Sequence, residues 1–143
     1  MFKDAGMAPP ALVNNLRHNK VLHATTLLVS VVTADIPRVP AEERSEVHQL
    51  DSRVHQVILQ FGFMEEPDVP EALSRIEIHD VPLDPAEITY FIGRESVIQG
   101  DAHGMHPLAE HLFVLLVRGA DSASRFFNLP SERVFEVGSQ VEI

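Results

Sequence analysis

The sequence has 143 residues, 45% hydrophobic and 22% charged, an ordinary globular composition that excludes a disordered or collagen-like chain and predicts one domain spanning residues 1–143. A formal charge of −10 gives binding to a nucleic-acid backbone little electrostatic support. The absence of cysteine removes disulfides, thiolate nucleophiles, cysteine-type zinc sites and iron–sulfur ligation, and it fits a reducing compartment.

No stretch approaches the ~18–20 continuous apolar residues needed to cross a bilayer. The amino terminus has no apolar signal-peptide core and carries Asp4 early, while Met1 and Phe2 read as the end of an apolar segment. Charge is uneven along the chain. Residues 1–33 set Lys3, Arg17 and Lys20 against Asp4, a net +2, whereas residues 34–101 net −10 and the remainder −2.

The first predicted element is a helix over 9–19: two prolines suit its first turn, Leu12 and Leu16 stand at i and i+4 with Val13 widening the stripe, and Asn19 is a left-handed stop. Residues 21–33 are dense in β-branched side chains and read as a central strand buried on both faces. Residues 35–46, with two prolines and mixed charge, predict an exposed loop. Segments 47–50 and 53–63 flank Asp51-Ser52 and predict an antiparallel hairpin, with Val57, Leu59, Phe61 and Phe63 on its core face. A helix over 69–79 follows, opened by Asp68 as N-cap with Pro70 early and Glu71 at the third position; Leu73 and Ile76 face inward.

Residues 87–98 read as a strand bent or bulged near Gly93-Arg94-Glu95. The strongest helical periodicity covers 107–128, where Leu108, Leu112, Leu115, Leu116, Gly119, Ala123 and Phe127 recur at helical spacing. Leu129-Pro130 ends it, 131–133 forms a turn, and 134–137 is a last short strand. This order predicts an α/β (α+β) fold, a mixed β-sheet with helices packed on it.

Few residues invite chemistry. His103, His106, Glu110 and His111 are the densest ligand-type cluster, yet Glu110 and His111 on one helix point about 100° apart, which suits a solvated loop better than one metal. His18 and His23 flank a helix-to-strand turn and read as structural. The acid pairs Glu42-Glu43 and Glu65-Glu66 read as solvated loop residues. Gly62, Gly93, Gly119 and Gly138 are isolated, which predicts local backbone or packing needs. Arg17, Lys20, Arg38 and Arg94 are the basic residues available to a small anionic effector, with scattered surface ion pairs as the plainer reading. No nucleophile elbow, phosphate loop or zinc-protease motif occurs. No catalytic, cofactor-binding or metal-binding residue is therefore assigned, and the chain reads as a non-enzyme without a cofactor.

Several blocks resemble a known family. Pro9-Pro10-Ala11-Leu12, Asn15-Leu16-Arg17-His18-Asn19-Lys20-Val21-Leu22-His23, Val39-Pro40, Phe61 through Pro70 (FGFMEEPDVP), Tyr90-Phe91-Ile92-Gly93-Arg94-Glu95, and the end from Phe126-Phe127 through Pro130, Arg133-Val134 and Glu136-Val137-Gly138 are similar to the cytosolic carboxy-terminal region of bacterial KUP/HAK/KT-family potassium uptake transporters. The resemblance implies an upstream membrane domain that moves K+ with protons, and a tail on the cytoplasmic side of the inner membrane. It implies that K+-coordinating and proton-relaying residues lie in that membrane domain, so none is carried onto this chain. The transmembrane domain and a second copy, as a homodimer, are the expected partners. The expected role is regulation or assembly, and the alternative is a sensor of a nucleotide second messenger. If the 107–128 helix covers the sheet, Leu116→Asp buries an unpaired charge and is expected to abolish the cooperative melting transition in circular dichroism; wild-type melting would place that helix elsewhere.

Overall fold

A computed structural model describes residues 8–78, 81, 83–98 and 123–142. Among these residues two sheets and three helices form in the order α1 (Pro10–Asn19), β1 (Thr26–Ala34), β2 (Ser45–Asp51), β3 (Val54–Gly62), α2 (Val69–Ser74), β4 (Tyr90–Ile98), α3 (Ala123–Phe126) and β5 (Val134–Glu142), with short 3-10 turns at Ala41–Glu43 and Ser131–Arg133. The fold is α+β with a mixed sheet, as the alternating periodicities predict. Most of the 107–128 helix, including Leu112, Leu116 and Gly119, lies outside the described residues; its last turn appears as α3. That helix stops at Asn128, whose φ of 55° is the left-handed conformation asparagine tolerates.

The first sheet has the order β1-β3-β2, with β1 parallel and β2 antiparallel to β3. The predicted central strand over 21–33 is corrected here. Among the described residues it begins only at Thr26 and lies at an edge of this sheet, and β3 takes the centre because both neighbours bond to it. Continuous apolar character did not select the middle. Alternation did: Val57, Leu59 and Phe61 are buried on one face of β3, and they pair in register with Val29, Val31 and Thr33 of β1. The hairpin forms with its turn one residue later than predicted, at Ser52-Arg53, because Asp51 pairs with Val54 and its carboxylate accepts from the Ser52 amide at 2.7 Å. Phe63, predicted inward, lies past the end of β3 and is exposed.

Asp68 caps α2 as predicted, its Oδ1 accepting from the Glu71 amide at 2.8 Å, and Leu73 and Ile76 are buried. The helix ends at Ser74, well short of 79. Asp68 also accepts from Asn128 Nδ2 at 2.5 Å, and the Val69 amide donates to the Phe127 carbonyl at 3.2 Å. These bonds tie α2 to the turn that leads into β5.

β4 and β5 form a parallel pair whose register runs unbroken from Tyr90↔Val134 to Ile98↔Glu142. The expected bulge at Gly93-Arg94-Glu95 is absent, since Gly93, Arg94 and Glu95 pair consecutively with Val137, Gly138 and Ser139. β5 is correspondingly longer than the predicted 134–137. One face of this pair presents Tyr90 and Val134 to the core built on β3 and α2, and the other receives α1, whose Ala11 Cβ lies 3.8 Å from where a Gly93 Cβ would stand.

α1 is rotated from the predicted orientation. Ala11 and Asn15 are its buried residues, and Val13 and Leu16 are exposed. The small Ala11 lets the helix approach the β4–β5 pair closely, and Asn15 turns inward because its amide has a partner, the Val21 carbonyl at 3.4 Å. The stop is Lys20, at φ 56°, rather than Asn19. Leu73 is fully buried at the centre of the core cluster. Leu73→Ala is expected to lower unfolding free energy by about 2–5 kcal/mol, read as a shift of the urea midpoint at unchanged slope.

Candidate functional site

The topology imposes one demanding connection. β1 and β3 run side by side in the same direction while β2 lies on the far side of β3, so residues 35–44 must pass over the carboxy-terminal end of β3. The passage is tight. A Cβ on Gly62 would lie 2.2 Å from the Pro37 carbonyl oxygen, so only glycine lets the two backbones meet there. This is the backbone need predicted for that residue. The Phe63 and Met64 amides donate to the Ile36 and Pro37 carbonyls at 3.0 and 3.1 Å, which continues the β1–β3 pairing beyond both strands.

Glu65 closes the crossover. The turn Gly62-Phe63-Met64-Glu65 is bonded from the Glu65 amide to the Gly62 carbonyl at 3.0 Å, which brings the carboxylate back over the strand end. There Oε2 accepts from the Gly62 amide at 2.6 Å and from the Val39 amide at 3.1 Å. Oε1 receives the Arg44 guanidinium, whose Nη2 also donates to the Val39 carbonyl at 2.9 Å. The Arg44 guanidinium lies over the Phe61 ring, 5.1 Å from its centroid, a cation–π contact that fills the space beneath the crossover. The Gly62 and Val39 amides and Arg44 together hold the Glu65 carboxyl below its ordinary value, against the opposing effect of partial burial.

The prediction that Glu65-Glu66 is a solvated pair is thus corrected for Glu65, while Glu66, Glu42 and Glu43 are exposed. Residues 35–46 are also less open than predicted, since Val39 is buried and Ser45 and Glu46 already belong to β2. Arg44 was missing from the basic candidates because nothing local in the sequence marks it; its partner is 21 residues away. The one readable signal was Gly62-x-x-Glu65, a spacing that returns a carboxylate to an amide three residues earlier, as at a helix cap.

The other candidates do not converge. His103, His106, Glu110 and His111 lie outside the described residues. His18 and His23 are exposed, and the His23 ring is tilted against Phe91, 5.8 Å between centroids, which in turn stacks on Phe135 at 5.5 Å. Arg17 and Lys20 are on the outward side of α1, Arg38 is exposed on the crossover, and Arg94 is in β4 opposite Gly138. Gly138 has open space around it. Among the described residues no group of three or more His, Asp or Glu side chains could hold a metal ion. Burial and the nearby Asp68 carboxylate raise the Tyr90 hydroxyl above its ordinary value, Arg133 opposing them; this disfavours a phenolate at neutral pH.

What the crossover displays is apolar. Phe63 and Met64, the central residues of the Glu65 turn, are 60% and 68% exposed, and Ile36 beside them is exposed as well. Exposed apolar side chains grouped on a hydrogen-bonded turn form a patch of the kind that marks an interaction surface.

The Glu65 carboxyl titrates lower in the folded chain than in the unfolded one, so its contribution to stability is fully present above pH of about 5 and is lost as the pH falls through its folded value. Glu65→Gln is expected to lower the melting temperature at pH 7, and the gap to wild type is expected to close as the pH falls through the lowered folded value of the carboxyl. Thermal melts at several pH values check this, and a gap independent of pH would remove the carboxylate from the account.

The sequence profile of the family described as the K+ potassium transporter C-terminal domain matches residues 1–143. A probable potassium transport system protein Kup of Pseudomonas entomophila is 46% identical over 139 residues, covering 97% of this chain and 22% of that protein. Proteins of the same name from Pseudomonas putida and Pseudomonas aeruginosa are each 47% identical over 135 residues, 94% of this chain and 21% of theirs. The chain spans about a fifth of the length of the curated relatives it matches. No solved structure matches it. A profile that covers every residue, with relatives near half identical across almost the whole length, establishes that the chain belongs to the C-terminal domain family of K+ potassium transporters.

Proposed function

We propose that this chain is the cytosolic regulatory or assembly domain of a proton-coupled potassium uptake transporter and contributes nothing to the ion path. One observation carries the reading: the chain matches only 21–22% of relatives named as potassium transport proteins, and no helix among its described residues is long and apolar enough to cross a membrane. A K+ path needs oxygen ligands placed across the bilayer. Localisation on the cytoplasmic side of the inner membrane follows from the same reading. The apolar turn at Phe63 and Met64 supports an assembly role, since exposed apolar side chains on a hydrogen-bonded turn suit docking against the membrane domain. β1 supports a homodimer, because it is a nine-residue edge strand in its sheet and an edge of that length can pair with a second copy.

The alternative, sensing of a nucleotide second messenger, draws on the His23–Phe91–Phe135 stack, whose outer ring is exposed and offers a flat surface to a base. A small anionic effector of that kind would change the Phe135 environment on titration, and the assembly reading expects no such change. Deleting the domain from the full-length transporter is expected to alter uptake rate, expression or response to conditions and to leave K+ over Na+ selectivity unchanged. Radiotracer flux measurements check this; a changed selectivity would put part of the ion path in this chain.

A further inference from the structure

α1 has inverted amphipathy. Residues on a helix advance by about 100° each, so the buried Ala11 and Asn15 lie on one side and Val13, Leu16 and Arg17 on the opposite side. Val13 and Leu16 are each 38% exposed, and Val21, just past the helix, is 54% exposed. Lys20 ends the helix in the left-handed conformation and is exposed beside this face. Among the described residues neither Arg17 nor Lys20 has an ion-pair partner. This helix stands within residues 1–33, which net +2, whereas the chain as a whole carries −10. Val13 and Leu16 exposed on one side of a helix, with cations beside them, suit a helix lying in a lipid interface, where the apolar groups enter the acyl boundary and the cations meet headgroup phosphates.

We infer that the outward face of α1, Val13, Leu16, Arg17 and Lys20, docks on an anionic phospholipid surface. The charge distribution selects this occupant. Arg17 and Lys20 give this face two positive charges in a chain that carries −10 overall, so an anionic surface attracts it there and is repelled by the chain's net charge elsewhere. The reading of the chain as a membrane transporter's tail supplies the bilayer, but vesicle binding is independent of ion flux, so either can fail alone.

The test uses the 143-residue chain, whose lack of cysteine allows a single environment-sensitive fluorophore at Val13→Cys, with Glu42→Cys as a control on the acidic crossover. Vesicles of phosphatidylcholine alone are compared with vesicles containing phosphatidylglycerol at low salt. The expected result is a blue shift at position 13 and none at 42, with anionic vesicles only and reversed by added salt. Arg17→Gln combined with Lys20→Asn, the asparagine retaining the left-handed cap, is expected to weaken binding at least about tenfold with an unchanged circular dichroism spectrum. The salt reversal, measured on the chain with both cations intact, stands even if that double variant fails to fold. Equal binding to neutral and anionic vesicles, or no binding to either, would overturn the inference. A lipid-free shift at position 13 that grows with protein concentration would give the face to a second copy and overturn it equally.

Discussion

The Glu65 carboxylate joins three pieces of chain that topology forces together. Placing β2 outside β3 obliges the connection from β1 to climb over the end of the central strand, and such a crossing leaves backbone amides that strand pairing cannot satisfy. Val39 and Gly62 contribute two of them, and one carboxylate oxygen accepts both. The second oxygen takes Arg44, which in turn bonds the Val39 carbonyl. Charge-assisted bonds to amides are stronger than neutral ones, so a single acidic side chain holds the crossover, fixes the glycine contact beneath it and sets the direction of the exposed Phe63-Met64 turn.

A second carboxylate organises the other end of the core. Asp68 caps α2 with one oxygen and receives Asn128 with the other, and this places the turn before β5 against the start of α2. Phe127, Leu129 and Val134 then pack on the cluster that Val57, Leu59 and Leu73 build on the first sheet. Tyr90, at the start of β4, completes the contact from within the parallel pair. The two sheets share one apolar core through these few residues.

The surfaces left over are unlike a simple solvated shell. α1 buries Ala11 and Asn15 and leaves Val13 and Leu16 exposed, against the usual sense of an amphipathic helix. The turn over β3 likewise holds Phe63 and Met64 in the open. The relatives that this chain matches are about five times its length, so in those proteins further chain is available to cover faces of this kind.

The sequence alone determined the elements with local causes. Alternation at Val57, Leu59 and Phe61 marked the core face of β3, Asp68-x-x-Glu71 marked the start of α2, and Leu129-Pro130 the end of the helix before it, because periodicity and capping act within a few residues. The family was likewise legible from contiguous blocks such as Phe61 through Pro70. Tertiary structure decided what depends on distant partners. The apolar run of β1 became an edge because β3, and not β1, had two neighbours to bond. Val13 and Leu16 lost the inward side of α1 because Ala11 fits against the β4–β5 pair and the Asn15 amide finds the Val21 carbonyl. Glu65 became the centre of a latch because the chain returns Val39 and Arg44 to it from more than twenty residues away, and no local pattern encodes an encounter across that separation.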